Sequence, residues 1–284
     1  MEYILIILLG VLATAKMSFQ SGFSKKEVKT PTDSLLFNGV VFAFSAAMFL
    51  PKIFGCSPVI WAYAVAGAVF AMMFQLLYTT ALSMGNVSLT VLIINFSMVI
   101  SVLVSYIFYK EPISILRFCG ILLTVCSFVI CTRFDNSKSG GKKWLIVTVL
   151  AMLSSSGGSI VQKMLGESQY SGESQAFISC LYILAMGLSI IVYPFLKKSQ
   201  PRTCKIGFNM IKFAAGAGIS LGVYQAFYTY ALANVDGTFL FPAYTGVTIV
   251  LSTLSGVLIF KDRLTKKQVL GTLVGIVSIV LMNF

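Results

Sequence analysis

The chain has 284 residues, of which 57% are hydrophobic and 11% charged, with a mean hydropathy of +0.91. A soluble domain carries about 25% charged residues, so too few polar side chains exist to cover a watered surface; a soluble enzyme, a nucleic-acid binder and a disordered chain are excluded. The formal charge is +12 with no histidine, which removes histidine-ligated metals and histidine proton relays and assigns the basic residues to loops beside anionic lipid rather than to nucleic acid.

A membrane helix needs about 20 mostly apolar residues. In chain order such runs fall near 2–23, 34–51, 59–83, 87–109, 114–132, 144–165, 175–196, 208–233, 238–260 and 267–283. The predicted fold class is therefore an all-α membrane protein with ten transmembrane helices. The first run lacks a basic flank before it and reads as a retained helix rather than a signal peptide. Trp61 and Trp144 stand near the starts of their runs, where an aromatic belt would hold them. The six cysteines include no CxxC pair and read as free thiols packed as small hydrophobes. No cofactor is implied.

The third run contains Gln75-Leu76-Leu77-Tyr78-Thr79-Thr80-Ala81-Leu82 and the eighth contains Gln225-Ala226-Phe227-Tyr228-Thr229-Tyr230-Ala231-Leu232. The shared pattern Q-x-x-Y-T-x-A-L recurs at an offset of 150, and Lys110-Glu111 matches Lys261-Asp262 at 151. The chain thus reads as two five-helix repeats, 1–132 and 144–284, joined by a linker over 133–143. Five crossings is an odd number, so the second repeat starts on the opposite side and the two are inverted. Of the 21 Lys and Arg residues, 16 fall in loops after odd-numbered spans and 4 in the other loops. By the positive-inside rule the linker is cytoplasmic and both termini are outside.

Polar residues within spans face a bundle interior or a wet cavity, because lipid offers them no partner. Gln75, Tyr78, Thr79 and Leu82 share one helix face at i, i+3, i+4 and i+7, as do Gln225, Tyr228, Thr229 and Leu232. Either they bind a polar substrate or they hydrogen-bond neighbouring helices. Asn95 and Tyr244 are further candidates at non-equivalent repeat positions. Lys16 lies inside span one, while all nine acids lie at span ends or in loops. It either snorkels toward Lys25 and Lys26 or, with Gln20 one turn on, offers a positive site for a substrate carboxylate or phosphate. Lys163, beside Gln162 near a span end, is expected to snorkel. Ser154 to Ser159 (Ser-Ser-Ser-Gly-Gly-Ser) is a poor helix stretch, read either as a hinge or locally unwound segment at the site, or as a close-packed crossing; Gly218-xxx-Gly222 and Gly271-xxx-Gly275 suit close helix contact.

Two five-span repeats, the tight turn Met84-Gly85-Asn86, and Lys110-Glu111-Pro112 and Lys261-Asp262-Arg263-Leu264-Thr265 after spans four and nine resemble the EamA-type branch of the drug/metabolite transporter superfamily. The nearest match to its repeat signature is the stretch from Phe241-Pro242 through Gly271-xxx-Gly275. The resemblance implies a multi-pass transporter of the cell membrane, moving a small metabolite by alternating access through a central cavity, and not an enzyme. Superfamily members carry amino acids, drugs, nucleotide sugars and other metabolites, and are often drawn with cytoplasmic ends, which the charge distribution here opposes. Val91 stands where the second half has Pro242, so the halves are expected to bend differently. With Lys16 and no buried acid, an amino acid or other carboxylate or zwitterion is favoured over a lipophilic cation. The alternative is a flippase for an amphipathic or lipid-linked substrate. The partners expected are a small-molecule substrate and the lipid bilayer, with a homodimer left open.

Overall fold

The structure is a computed structural model and describes residues 2–110, 114–133, 141–199, 204, 206–235, 237–262 and 266–282. Those residues form eleven α-helices joined by short turns. In order they are α1 (Glu2–Glu27), α2 (Pro31–Ala47), α3 (Pro58–Met84), α4 (Val87–Asn95), α5 (Ser97–Tyr109), α6 (Ile115–Arg133), α7 (Gly141–Gly166), α8 (Ser174–Ser199), α9 (Phe208–Asn234), α10 (Gly237–Leu258) and α11 (Lys266–Met282). Among the described residues five segments are by themselves long and apolar enough to cross a membrane: Ile4–Glu27, Pro58–Met84, Val87–Tyr109, Gly141–Gly166 and Ser171–Lys198.

Local chemistry sets the helix ends. Thr30 caps α2 in a reciprocal box: its hydroxyl accepts from Asp33 N at 3.2 Å, and the Asp33 carboxylate accepts from Thr30 N at 3.0 Å. Pro31 and Pro58 stand at the starts of α2 and α3, where a missing N–H costs nothing. Pro58 follows Ser57, whose N–H and hydroxyl both donate to Glu173 from the turn before α8. Lys110 and Lys261 end their helices with φ of 54° and 52°, among the described residues the only non-glycine positions in the left-handed region. They are repeat equivalents, so the same strained turn is built twice.

The packing also repeats. α1 packs on α9 as α3 packs on α7, α1 on α10 as α4 and α5 on α7, and α2 on α9 as α3 on α8. Exchanging the halves maps each pair onto its counterpart. α2·α8 and α6·α11 map onto themselves. α6 and α11 lie to one side and meet through small residues: the Ser127 hydroxyl donates to Gly271 O at 2.6 Å, and a side chain at Gly275 would meet that hydroxyl. At the α9·α2 crossing a Cβ on Gly218 would stand 2.6 Å from Val41 O, and the Ser45 hydroxyl donates to Gly218 O at 2.8 Å. Both glycine pairs thus serve close contact, as their spacing suggests.

Several expectations need correction. The Ser154–Ser159 run is not unwound: α7 is continuous, and Phe70 of α3 occupies the space beside Gly157, which fits the close-packed alternative. The interruption falls in span four instead. There α4 ends on a tight turn, Phe96 N to Ile93 O at 3.1 Å, and α5 restarts at Ser97. The Ser156 hydroxyl donates to Ser97 O at 3.2 Å, so the serine run supplies bonding to the break. α10, the counterpart containing Pro242, is unbroken. The halves do differ in span four and span nine, but the broken one lacks the proline; the Pro242 side chain lies outside the described residues. Trp144 is not in an interfacial belt: it is buried and donates from Nε1 to Thr90 Oγ1 at 2.9 Å. Lys163 does not snorkel into water. It is 3% exposed, over the Tyr109 ring, with Nζ 3.3 Å from Glu167 Oε1. α7 begins at Gly141, three residues before the run read from sequence, and 134–140 of the expected linker lie outside the described residues.

Candidate functional site

A cavity of about 160 Å³ opens in the middle of the bundle, walled by α1, α3, α4, the start of α5, α7, α8, α9 and α10. Seven of the ten residues singled out from sequence line it: Lys16, Gln75, Tyr78, Asn95, Gln225, Tyr228 and Tyr244. The remaining three do not. Gln20 and Thr79 are fully buried behind the wall, and the Thr229 hydroxyl turns back on Gln225 O at 2.8 Å.

Lys16 reaches the cavity from the middle of α1. Its Nζ lies 5.1 Å from the Phe74 ring centroid and 5.5 Å from that of Tyr78, two rings stacked at 5.3 Å on one face of α3. Such cation–π contacts ease an ammonium's burial without neutralising it. Among the described residues Lys16 has no ion pair; the acids that do pair with lysine, Asp262 and Glu167, engage Lys25 and Lys163. Among the described residues no carboxylate therefore stands ready to balance a charge on Lys16.

Across the cavity stand three tyrosines. Tyr224 and Tyr228 stack at 5.4 Å, one turn apart on α9, and Tyr244 of α10 meets Tyr228 edge-on at 5.3 Å. The Tyr228 hydroxyl points to Ser159 Oγ at 3.5 Å. α7 contributes Ser155, Gly158, Ser159 and Gln162, a third i, i+3, i+4, i+7 stripe. Two buried polar atoms at the cavity have no partner among the described residues: Asn95 Nδ2, a donor, and Gln162 Oε1, an acceptor. Buried groups of this kind are normally satisfied, so each points to a ligand or water.

Sequence reasoning missed Gln162 as a cavity residue and missed Asn38 altogether. The Ser155–Gln162 stripe carried the signal for the first. For the second, a lone asparagine in the middle of α2 was the only sign. Asn38 lies behind the wall. Its Nδ2 is 2.8 Å from Ser34 O, 3.0 Å from Gln75 O and 2.8 Å from Thr79 Oγ1.

One end of the bundle is closed by charge. Asp262 takes the Lys25 ammonium at 2.7 Å and the Ser88 N–H and hydroxyl at 3.0 and 3.1 Å, which joins the ends of α1 and α10 to the N-terminus of α4. Lys25 also stands over Phe260. Lys163 over Tyr109 repeats this geometry with the halves exchanged, since Tyr109 and Phe260 are repeat equivalents.

An all-helical bundle of apolar helices around a small polar cavity, built twice over, is the frame of an integral membrane transporter. The model of the EamA-like transporter family matches residues 4–133 and 142–284, and the chain belongs to that family: it is a multi-pass membrane transporter of small molecules. One solved crystal structure, described only as that of a protein, has a TM-score of 0.66 to this chain at 15% identity, covering 97% of this chain and 95% of its own. That likeness concerns the fold alone. A search of the curated proteins finds no match.

Proposed function

We propose that this protein carries a small carboxylate or zwitterion, an amino acid being the favoured type, across the cell membrane by alternating access through the central cavity. The observation that carries the reading is Lys16: an ammonium held among rings at the cavity wall, with no acid facing it among the described residues. A substrate anion is the missing half of that pair. The tyrosines add stacking surface, and Gln225 adds an amide at the wall. The volume suits a ligand of modest size, since an apolar cavity of about 150 Å³ holds benzene.

The frame is ten spans in two inverted five-helix halves, 1–132 and 144–284. The exchange of helix pairs between halves, the paired left-handed lysines and the twin lysine–aromatic contacts support this. Charge supports cytoplasmic placement of the 133–143 linker and external termini. In reconstituted vesicles, Lys16→Ala is expected to abolish uptake of the carried anion while the purified protein keeps its wild-type melting profile. Uptake at the wild-type rate by Lys16→Ala refutes the reading.

A further inference from the structure

Gln75 has one end engaged and one end free. Its Oε1 accepts from Gln20 Nε2 at 2.8 Å, while its Nε2 has no partner among the described residues, and the side chain lines the cavity. An isolated amide can turn over and present either end. This one cannot, and the reason lies two residues further back.

Asn38 sets the sense of the chain. Its amide nitrogen sits against two backbone carbonyls, Ser34 O and Gln75 O, which only accept. The group facing them must be Nδ2, so Oδ1 faces away, toward Gln20 at 3.3 Å. An acceptor there requires a donor, so Gln20 presents Nε2; turned over, its oxygen would stand against Asn38 Oδ1. The second hydrogen of Gln20 Nε2 then points at Gln75, whose near atom must accept. Gln75 Oε1 is thereby held at the back and Nε2 at the front. Gln20 and Asn38 are 0% and 1% exposed, so water does not break the sequence.

We infer that Gln20 and Asn38 are positioning residues that fix Gln75 as a hydrogen-bond donor to the substrate, so that the wall formed by Gln75 and Lys16 accepts an oxyanion and rejects its isosteric amide. The inference rests on the anion-carrying reading above and deepens it. Lys16 supplies charge, which alone does not separate a carboxylate from other electron-rich groups. A locked donor lining the same cavity does, because an amide can turn only one oxygen toward the pair while a carboxylate offers two. Gln20, assigned to the site from its sequence position, acts one step behind it.

The test uses nicotinate and nicotinamide, an isosteric anion and amide small enough for the cavity, titrated against the purified full-length protein. The wild type is expected to bind nicotinate more tightly. Gln20→Met keeps the side-chain length but removes both donors, freeing Gln75 to turn; the nicotinate-to-nicotinamide affinity ratio is expected to fall about tenfold, the loss of one hydrogen bond to a charged group. Gln75→Met gives the same fall. In the double variant Gln20→Met adds nothing further to the ratio, because its effect runs only through Gln75. A structural role for Gln20 would lower the melting temperature and leave the ratio alone. A wild type that binds neither probe, or both equally, overturns the anion reading of the cavity. A wild type that discriminates while Gln20→Met discriminates equally, or still lowers the ratio in the Gln75→Met background, overturns the positioning role alone. If Gln20→Met does not fold, Asn38→Leu removes the same constraint from the other end and is read in the same way.

Discussion

Single carboxylates at the helix ends do distinct work from the cavity residues. Glu173 accepts from the Ser57 hydroxyl and N–H, and those two bonds hold its carboxyl below the usual glutamate range. A depressed carboxylate contributes stability above its unfolded value and loses that contribution as pH falls through the folded one. Melting temperature is therefore expected to decline as pH drops below about 4.3, the free glutamate value, and Glu173→Gln, which still accepts a bond but does not titrate, should show a shallower decline. An equal decline in both proteins would mean that the α3 start does not depend on this charge. Asp33 is buried where Glu173 is not: it accepts from Lys29 N and Thr30 N, and its other oxygen accepts from Cys204 N at 3.0 Å, so it ties α2 to the approach to α9.

At the scale of elements, close approach decides which small residues matter. Gly218 touches the α2 backbone, so Gly218→Ala must push α9 away from α2; a loss of about 1–3 kcal/mol is expected. Gly187, in the middle of α8, has nothing within 4 Å of a Cβ, and Gly187→Ala should leave stability within about 0.5 kcal/mol or raise it slightly. Thermal melts of the two variants in detergent check the contrast. A similar result for both would deny the α9·α2 contact its role. The interrupted span, α4 and α5, belongs at this scale too. Its break at Phe96 has Asn95 on one side, at the cavity, and Ser97 on the other, bonded to the α7 serines. The break thus aims a polar side chain at the site, and α7 bonds to Ser97 just beyond it.

For the whole molecule, the duplicated architecture makes orientation an all-or-none property. If the 133–143 linker is cytoplasmic, a cysteine placed there by Ser139→Cys in a cysteine-free background should resist a membrane-impermeant thiol reagent added to intact cells and react after lysis. Ready labelling of intact cells would invert the topology. Inversion would also exchange which side of the membrane the Lys25–Asp262–Ser88 cluster faces.

The helices, the duplication and seven of the residues that line the cavity were legible in the chain alone. Helical periodicity is local and lipid excludes polar groups from a helix surface, so a repeated Q-x-x-Y-T stripe and one buried lysine suffice to mark an interior. What each polar group does there was decided only by tertiary packing. Gln20 and Gln75 read alike as binding residues, yet one lies behind the other, because Asn38 arrives from α2 to orient both. Trp144 read as an interfacial anchor and Lys163 as a snorkelling one, but helices distant in sequence bury both with partners. The serine run read as a weak point because its propensity is poor, and it is continuous helix because Phe70 and Ser97 pack and bond along it. A side chain's periodic position states which way it faces within its own helix; only the neighbouring helices determine what it meets there.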